Sequence, residues 1–473
     1  MDKIIGRKFE YQQLKECVNS ERSEFVIICG RRRVGKTFMV RSFFNDKYDF
    51  QFTGTRNMPV KVQLAKFSEA LQKYSKSTFA PILKDWYDAF HHLQLVLEEK
   101  PKKKRKIIFI DEMPWIDSPK SVFVNALEHF WNSWALMRDD IVLVACGSAT
   151  SWMNDKLIDN QGGLYNRITR KIILHSFTLA ECQEYLKNKN CNWNAYQIIQ
   201  SYMILGGVPF YYSLLNPKMS LVQNVDYLFF NGGGILNGEF DELYHALFSN
   251  SDKYVSVVKV LSQKHEGLSR NEIIEKTKLS GGGLSKILNN LEKCDFITGY
   301  SKFKNPSKNV IYRLTDFYTL FYFKFLEHSG RNNNGFWSNN FDSPKIYSWQ
   351  GYTFELVCLT HIDQIKKKLG ISGMSASISC WRGKSDDGGA QIDLLIDRKD
   401  RTINICEIKF SNAPYVIDKA YENHLRMRNA IFKSETKTTK ALSITFISVY
   451  GVVPNIHSQV VDSEVLAEDL MEK

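Results

Sequence analysis

The apolar run Phe25–Cys29 leads directly into Gly30-x-x-x-x-Gly35-Lys36-Thr37, and helical periodicity begins at Lys36. A continuous apolar run of this length reads as a strand covered on both faces. The chain must therefore build a parallel sheet with helices on either side. The glycines let the loop curl around a phosphate, and the helix that follows offers free N–H groups and a favourable dipole. In that setting Lys36 reaches the β- and γ-phosphates of ATP, and Thr37 places its hydroxyl on Mg²⁺. Arg31, Arg32, Arg33 and Val34 complete the loop and Phe38 the first helical turn, so Gly30–Phe38 as a whole is expected to border the nucleotide.

Two further runs end in chemistry. "IIFIDE" (107–112) places Asp111 and Glu112 at the carboxyl edge of a buried strand. There Asp111 would hold the water shell of Mg²⁺, and Glu112 would orient or deprotonate an attacking water. "IVLVACGSATS" (141–151) ends in Ser148, a small polar residue placed to sense a γ-phosphate. The basic "PKKKRK" (101–106) runs straight into "IIFIDE" and reads as a loop entering that strand rather than as a targeting signal.

A length of 473 residues exceeds one core and suggests about three or four domains. The net charge of +12 leans toward a polyanionic partner without deciding on one. Nine cysteines with no CxxC pair sit partly inside apolar runs, as reduced thiols do, which points to the cytoplasm. The longest apolar runs are strand-sized, so no membrane segment is expected.

In chain order, "IIGRKFEYQQL", "GRRRVGKT", "IFIDE", "CGSATSWM", "LYNRITR" and "GGVPFYY" resemble the archaeal-type AAA+ ATPases, a prokaryotic family related to signal-transducing ATPases. The resemblance spans roughly residues 1–245. It implies a P-loop AAA+ core at 1–172 and a helical lid at 173–248, with Ile5, Gly6 and Arg7 near the adenine and Ser148 as sensor. It also implies an arginine facing a neighbouring subunit's nucleotide, which requires a homo-oligomer. The family often has Gly-Arg there; this chain has Asn166-Arg167, with Arg170 as the alternative to Arg167.

Residues 249–328 hold three short amphipathic helices and two strands joined by a basic turn, the pattern of a winged helix-turn-helix. Its recognition helix, about 282–293, offers Ser285, Lys286, Asn289, Asn290 and Lys293. The hairpin tip offers Lys302, Lys304 and Lys308 for phosphates of DNA, or the module docks a protein partner. "GRNNNGFWSNN" lies within a polar linker at 329–340.

The last segment, 341–473, contains "GAQIDLLIDRKDRTINICEIKF" (389–410), two apolar runs interrupted by Asp393, Glu407 and Lys409. A two-residue turn at Lys399-Asp400 would pair residues summing to 799 and set Asp393 opposite Cys406. A three-residue loop would pair residues summing to 800 and set Asp393 across from Glu407. In the second case the two carboxylates repel unless a hard cation, Mg²⁺ or Mn²⁺, lies between them, with Lys409 steadying charge on a phosphate. Upstream, Glu355 interrupts a helix at about 348–369 among apolar residues.

Helix Glu, strand Asp and Glu-x-Lys on the next strand resemble the PD-(D/E)xK nuclease superfamily. The resemblance implies Asp393 and Glu407 as metal ligands, Lys409 as the catalytic lysine and Glu355 as a supporting acid. The expectation is an α/β multidomain protein: a P-loop parallel sheet with a helical lid, a winged helix and a restriction-endonuclease-like domain. It would use ATP and Mg²⁺ and cleave DNA. The alternatives are a nucleotide-controlled regulator that binds DNA or protein without cleaving, and an ATPase directed solely at protein.

Overall fold

The apolar runs become the inner strands of a five-stranded parallel sheet. Its strands are β1 (Glu24–Cys29), β2 (Phe50–Thr53), β3 (Lys106–Asp111), β4 (Ile141–Gly147) and β5 (Arg170–Ile173), in the order β2-β3-β4-β1-β5. Every residue of β1, β3 and β4 is buried, as expected of strands covered on both faces. The computed structural model describes all residues except 1–3, 76, 102–103, 119–120, 149, 159–161, 165, 233, 249, 304, 329–332 and 386–387. The chain divides into two units, Met1–His175 with Ala246–Ser249, and Ser176–His245 with Asn250–Lys473. The sheet lies in the first unit. β2 and β5 have no strong apolar signature; each is a four-residue strand on an edge of the sheet.

The second unit starts with helices whose ends are written in the sequence. Thr178 with Glu181, Asn194 with Gln197 and Ser220 with Gln223 each form a reciprocal capping box. Three more helices follow, Ser251–Ser262, Arg270–Thr277 and Gly281–Lys293. The two-residue strand β6 (Leu268–Ser269) pairs with β8 (Asn305–Leu314), which forms an antiparallel hairpin with β7 (Ile297–Lys302). The stretch expected as linker holds a helix, Phe336–Asn340, in place of an extended connection. Its Trp337 is buried, and the Asp226 carboxylate accepts from the N–H groups of Trp337 (2.8 Å) and Ser338 (2.9 Å).

The remaining strands are β9 (Ala376–Ser385), β10 (Gly388–Arg398), β11 (Thr402–Lys409), β12 (Ala441–Ser448) and β13 (Ser463–Leu466). β10 pairs antiparallel with both β9 and β11, while β11, β12 and β13 run parallel. A parallel bridge at Lys302–Cys380 joins β7 to β9 and completes an eight-stranded sheet, β13-β12-β11-β10-β9-β7-β8-β6. β9 and β13 were not anticipated. The helix expected over 348–369 is two helices, Pro344–Thr360 and Ile362–Lys368, broken at His361.

His361 explains the break. Its Nε2 accepts the Leu179 N–H at 3.0 Å, and its Nδ1 faces the Val357 carbonyl at 2.8 Å. This arrangement holds the ring neutral, and burial pushes its pKa down from 6.5 to about 4. The folded chain is thus the poorer proton binder. The stability gained is full above the unfolded value of 6.5 and is lost as pH falls through about 4. The loss is on the order of 3 kcal/mol. In calorimetry, Tm should fall on acidification across that window, and a His361→Gln chain should show a flatter fall.

Candidate functional site

The first candidate site lies where β1, β3 and β4 end. Gly30 (φ 146°) and Gly35 (φ 91°) take backbone conformations that side chains resist, and so does Arg33 (φ 75°). A Cβ on Gly30 would stand 2.1 Å from the Leu174 carbonyl oxygen, so the loop is seated directly against the chain leaving β5. Lys36 is buried at the start of the helix Lys36–Phe44, and its Nζ donates to the carbonyls of Gly30 and Arg31, both at 2.9 Å. Burial lowers its pKa, and the nearby carboxylates of Glu112 and Asp111 only partly offset this.

Thr37 Oγ1 donates to Asp111 Oδ2 at 2.8 Å, which joins the two groups expected around Mg²⁺ before any ion is considered. Burial, then the Glu112 charge, raises the Asp111 pKa. Glu112 takes a left-handed backbone (φ 47°), and its Oε2 accepts from Ser148 Oγ at 3.0 Å. Ser148 thus orients Glu112 from the strand between the P-loop and the Asp-Glu pair, a link that no spacing in the sequence reveals.

Other expected neighbours of the nucleotide divide by burial. Val34 packs into the core and Phe38 is about half exposed. Arg31 is buried, while Arg32 and Arg33 are intermediate. Arg7 Nη2 donates to the carbonyls of Val34 (3.3 Å) and His175, so it clamps the loop to the chain beyond β5. Gly6 adjoins it in a left-handed conformation (φ 65°), and Ile5 is half-buried. Arg167 lies in an exposed turn, whereas Arg170 is engaged at 3.2 Å with Glu16 of its own chain.

The second candidate site is built on the β10–β11 hairpin. Observed pairs are Leu394–Cys406, Leu395–Ile405, Ile396–Asn404 and Asp397–Ile403, the register summing to 800. The connection is Lys399–Arg401, and Arg401 is left-handed (φ 67°), the usual ending of a three-residue hairpin loop. The observed pairs end at Leu394–Cys406; the same register carried one step further would set Asp393 across from Glu407. β10 also shifts register against β9 between Ile392 and Leu395, a bulge that re-aims residues at Asp393.

All four expected residues meet electrostatically. Burial first, then the charge of Asp393, drives Glu355 to about 8, with Glu407 adding to the rise and Arg313 and Lys409 opposing it. Glu407 shows the opposite balance. Burial would raise it, but Arg428, Lys409 and Tyr421 outweigh burial and hold it below the ordinary carboxylate value. Lys409 Nζ lies 3.1 Å from Glu407 Oε1, Tyr421 OH donates to the same oxygen, and Arg428 Nη1 takes Oε2. Asp393 accepts from Gln391 Nε2 and lies 3.8 Å from Arg313 Nη2.

Among the described residues, no group of three or more His, Cys, Asp or Glu is gathered closely enough to hold a metal ion. Arg313, Tyr421 and Arg428 were not anticipated. Arg428 had a visible signal, since it shares the buried face of the helix Lys419–Thr436 with Leu425 and Phe432. In the three-helix segment Ser285, Lys286 and Asn289 are exposed. Asn290, expected to read DNA, is instead buried, with Nδ2 on Tyr254 OH at 2.8 Å. Lys293 is half-buried, Lys304 lies outside the described residues, and nothing is described of the Lys302 and Lys308 side chains.

Residues 5–214 match the family described as an ATPase domain predominantly from Archaea. The chain carries an archaeal-type ATPase domain. A protein of Methanocaldococcus jannaschii, described as uncharacterized, is 23% identical over 86% of this chain and 88% of its own length. The Walker-type ATPase PABY2304 of Pyrococcus abyssi is similar at 18% identity and a TM-score of 0.48, over 68% of this chain and 96% of that one. The ORC2 protein of Aeropyrum pernix, solved with ADPNP and ADP, is similar at 11% identity and a TM-score of 0.40, over 76% and 96%. The ATPase domain includes the first site entire. Among the described residues no helix is long and apolar enough to cross a membrane.

Glu407 is buried, so its charge depends on its partners. Arg428→Ala should destabilise the chain by about 3–5 kcal/mol in urea unfolding, because it strands a buried carboxylate. Adding Glu407→Gln should recover much of that loss.

Proposed function

We propose that the chain couples Mg·ATP hydrolysis to DNA binding and metal-dependent phosphodiester cleavage. In the ATPase domain, Lys36 and the N–H groups of the loop bind the phosphates, Thr37 and Asp111 hold Mg²⁺, and Glu112 accepts the proton of the attacking water. The Thr37–Asp111 hydrogen bond and the Ser148–Glu112 hydrogen bond support these roles. Glu112→Gln should lower kcat for ATP roughly a hundred- to ten-thousandfold while leaving ATP affinity within a few-fold. Lys36→Ala should remove nucleotide binding in equilibrium titration. Arg167, exposed in its turn, is the candidate to act on a neighbour's nucleotide, whereas Arg170 already has a partner within its own chain.

Residues 250–326 form a winged helix in this reading, supported by three helices and the β6–β8–β7 strands. Ser285, Lys286 and Asn289 remain as its DNA-facing candidates. The cleavage assignment is supported by one observation, the hairpin register summing to 800, which carried one step further would set Asp393 across from Glu407. The oxygen chemistry of Asp393, Glu407 and Glu355 suits a hard cation, which would have to draw these acids closer together than they stand. Asp393 and Glu407 would hold Mg²⁺ or Mn²⁺, which when bound would lower the pKa of a water and polarise the phosphodiester. Lys409 would steady charge on the phosphate, and Glu355 would donate or accept a proton beside it.

A second reading, a regulator that binds without cleaving, is favoured by the Arg428, Tyr421 and Lys409 contacts that already engage Glu407. Plasmid, linear and single-stranded DNA incubated with Mg²⁺ or Mn²⁺, with and without ATP, separate the two. Cleavage by the wild type and at least a hundredfold loss in Lys409→Ala are expected. DNA binding with no nicking under either metal selects the regulator, and cleavage unchanged in Lys409→Ala removes that lysine from catalysis.

A further inference from the structure

A cavity of about 290 Å³ opens in the second unit between the helix Ala195–Leu205 and the helix Pro344–Thr360. Its walls include the rings of Tyr196, Trp337, Phe341 and Tyr347, and none of its lining residues is charged. Gln350 also lines it. That side chain is 2% exposed, and its Oε1 has no hydrogen-bond partner among the described residues. A buried amide oxygen left unpaired is rare because its desolvation is not offset. The two outer rings stay open to solvent, with Phe341 at 46% and Tyr347 at 48% exposure.

A second feature leads out of the cavity. Tyr196 stacks on Phe410 at 4.5 Å with 14° between the rings, and its ring also lies 6.4 Å from that of Tyr450 at 16°. Phe410 directly follows Lys409 in the chain. The aromatic row thus runs from the cavity to the residue beside the second candidate site.

We infer that this cavity binds a nucleobase, with an aromatic ring on the base face and the Gln350 amide, turned toward the cavity as the base enters, accepting an N–H from its edge. The absence of charge rules against a phosphate or carboxylate as the bound group, and flat rings with amides suit a planar, neutral, hydrogen-bonding one. A proline-rich peptide would use aromatic walls but brings few N–H groups for Gln350. The volume lies at the small end of ligand cavities and suits one base. Aromatic stacking accepts every base, so the site would hold single strands without reading sequence. The base site stands on these observations alone; its service to cleavage beside Lys409 rests on the reading in the previous subsection.

The test uses the full chain in EDTA, so that binding is read whether or not the protein cleaves. Fluorescence anisotropy compares a labelled single-stranded oligothymidylate with an abasic strand of equal length, which keeps the phosphates and loses the bases. Calorimetry with thymidine asks whether the free nucleoside is also a ligand. The wild type should prefer the base-bearing strand by roughly five- to a hundredfold, the range that stacking of one base supplies. Tyr347→Ala and Gln350→Leu should each reduce that preference at least threefold without changing affinity for the abasic strand. Tyr347 is half exposed, so its variant carries the test if Gln350→Leu fails to fold. Heat with thymidine that the variants lack supports the cavity as a nucleoside site; strand preference without such heat supports it as a strand site. Equal affinity for the two strands with no thymidine heat overturns the inference, as does a preference that both variants retain in full.

Discussion

Strands covered on both faces leave almost no room for charge along their length, so polar chemistry gathers where they end. In the ATPase domain β1 leads to Gly30, β3 to Asp111 and Glu112, and β4 to Ser148. The buried middles of these strands make their ends rigid, and the groups at the ends are held by one another. Thr37 rests on Asp111, Ser148 on Glu112, and Lys36 on the carbonyls of its own loop. Arg7 fastens that loop from outside the sheet.

The same constraint shapes the second unit, with a different resolution. β11 is buried from Ile403 through Glu407, so the Glu407 charge arises inside the covered part of the strand. A carboxylate there survives only with cations around it. Arg428 from the crossing helix and Lys409 from the same strand provide them. Asp393, at the bulge and partly exposed, has a looser partner in Arg313. For Glu355, burial beside two acids outweighs the charges of Arg313 and Lys409 and drives it toward the protonated form. Glu407 and Glu355, two carboxyl groups of one chemical type, are therefore pushed in opposite directions.

Much of this was legible in the residues. The P-loop, the Asp-Glu strand and the three buried runs follow from apolar continuity interrupted by specific polar residues. The hairpin was legible up to one choice, because period two and the Asp, Glu and Lys positions left two registers open. What escaped reading was short or indirect. β2 and β5 are brief edge strands, β9 mixes polar with apolar residues, and β13 is four residues long. The break at His361 depends on the Leu179 N–H, contributed from 182 residues away. Asn290 has the spacing of a polar face residue, yet it is buried with its Nδ2 donating to Tyr254 OH.

Local sequence alone determined the phosphate loop, the strand ends that carry acids, and the candidate quartet Glu355, Asp393, Glu407 and Lys409, because each depends on residue type and short spacing. Tertiary structure decided the rest. It selected the three-residue loop through the left-handed Arg401, and so the register summing to 800. It supplied Arg313, Arg428 and Tyr421 as partners and fixed which carboxyl groups keep their charge. The physical reason is that electrostatic state depends on burial and on neighbours within a few ångströms, and in a folded chain those neighbours come from distant segments.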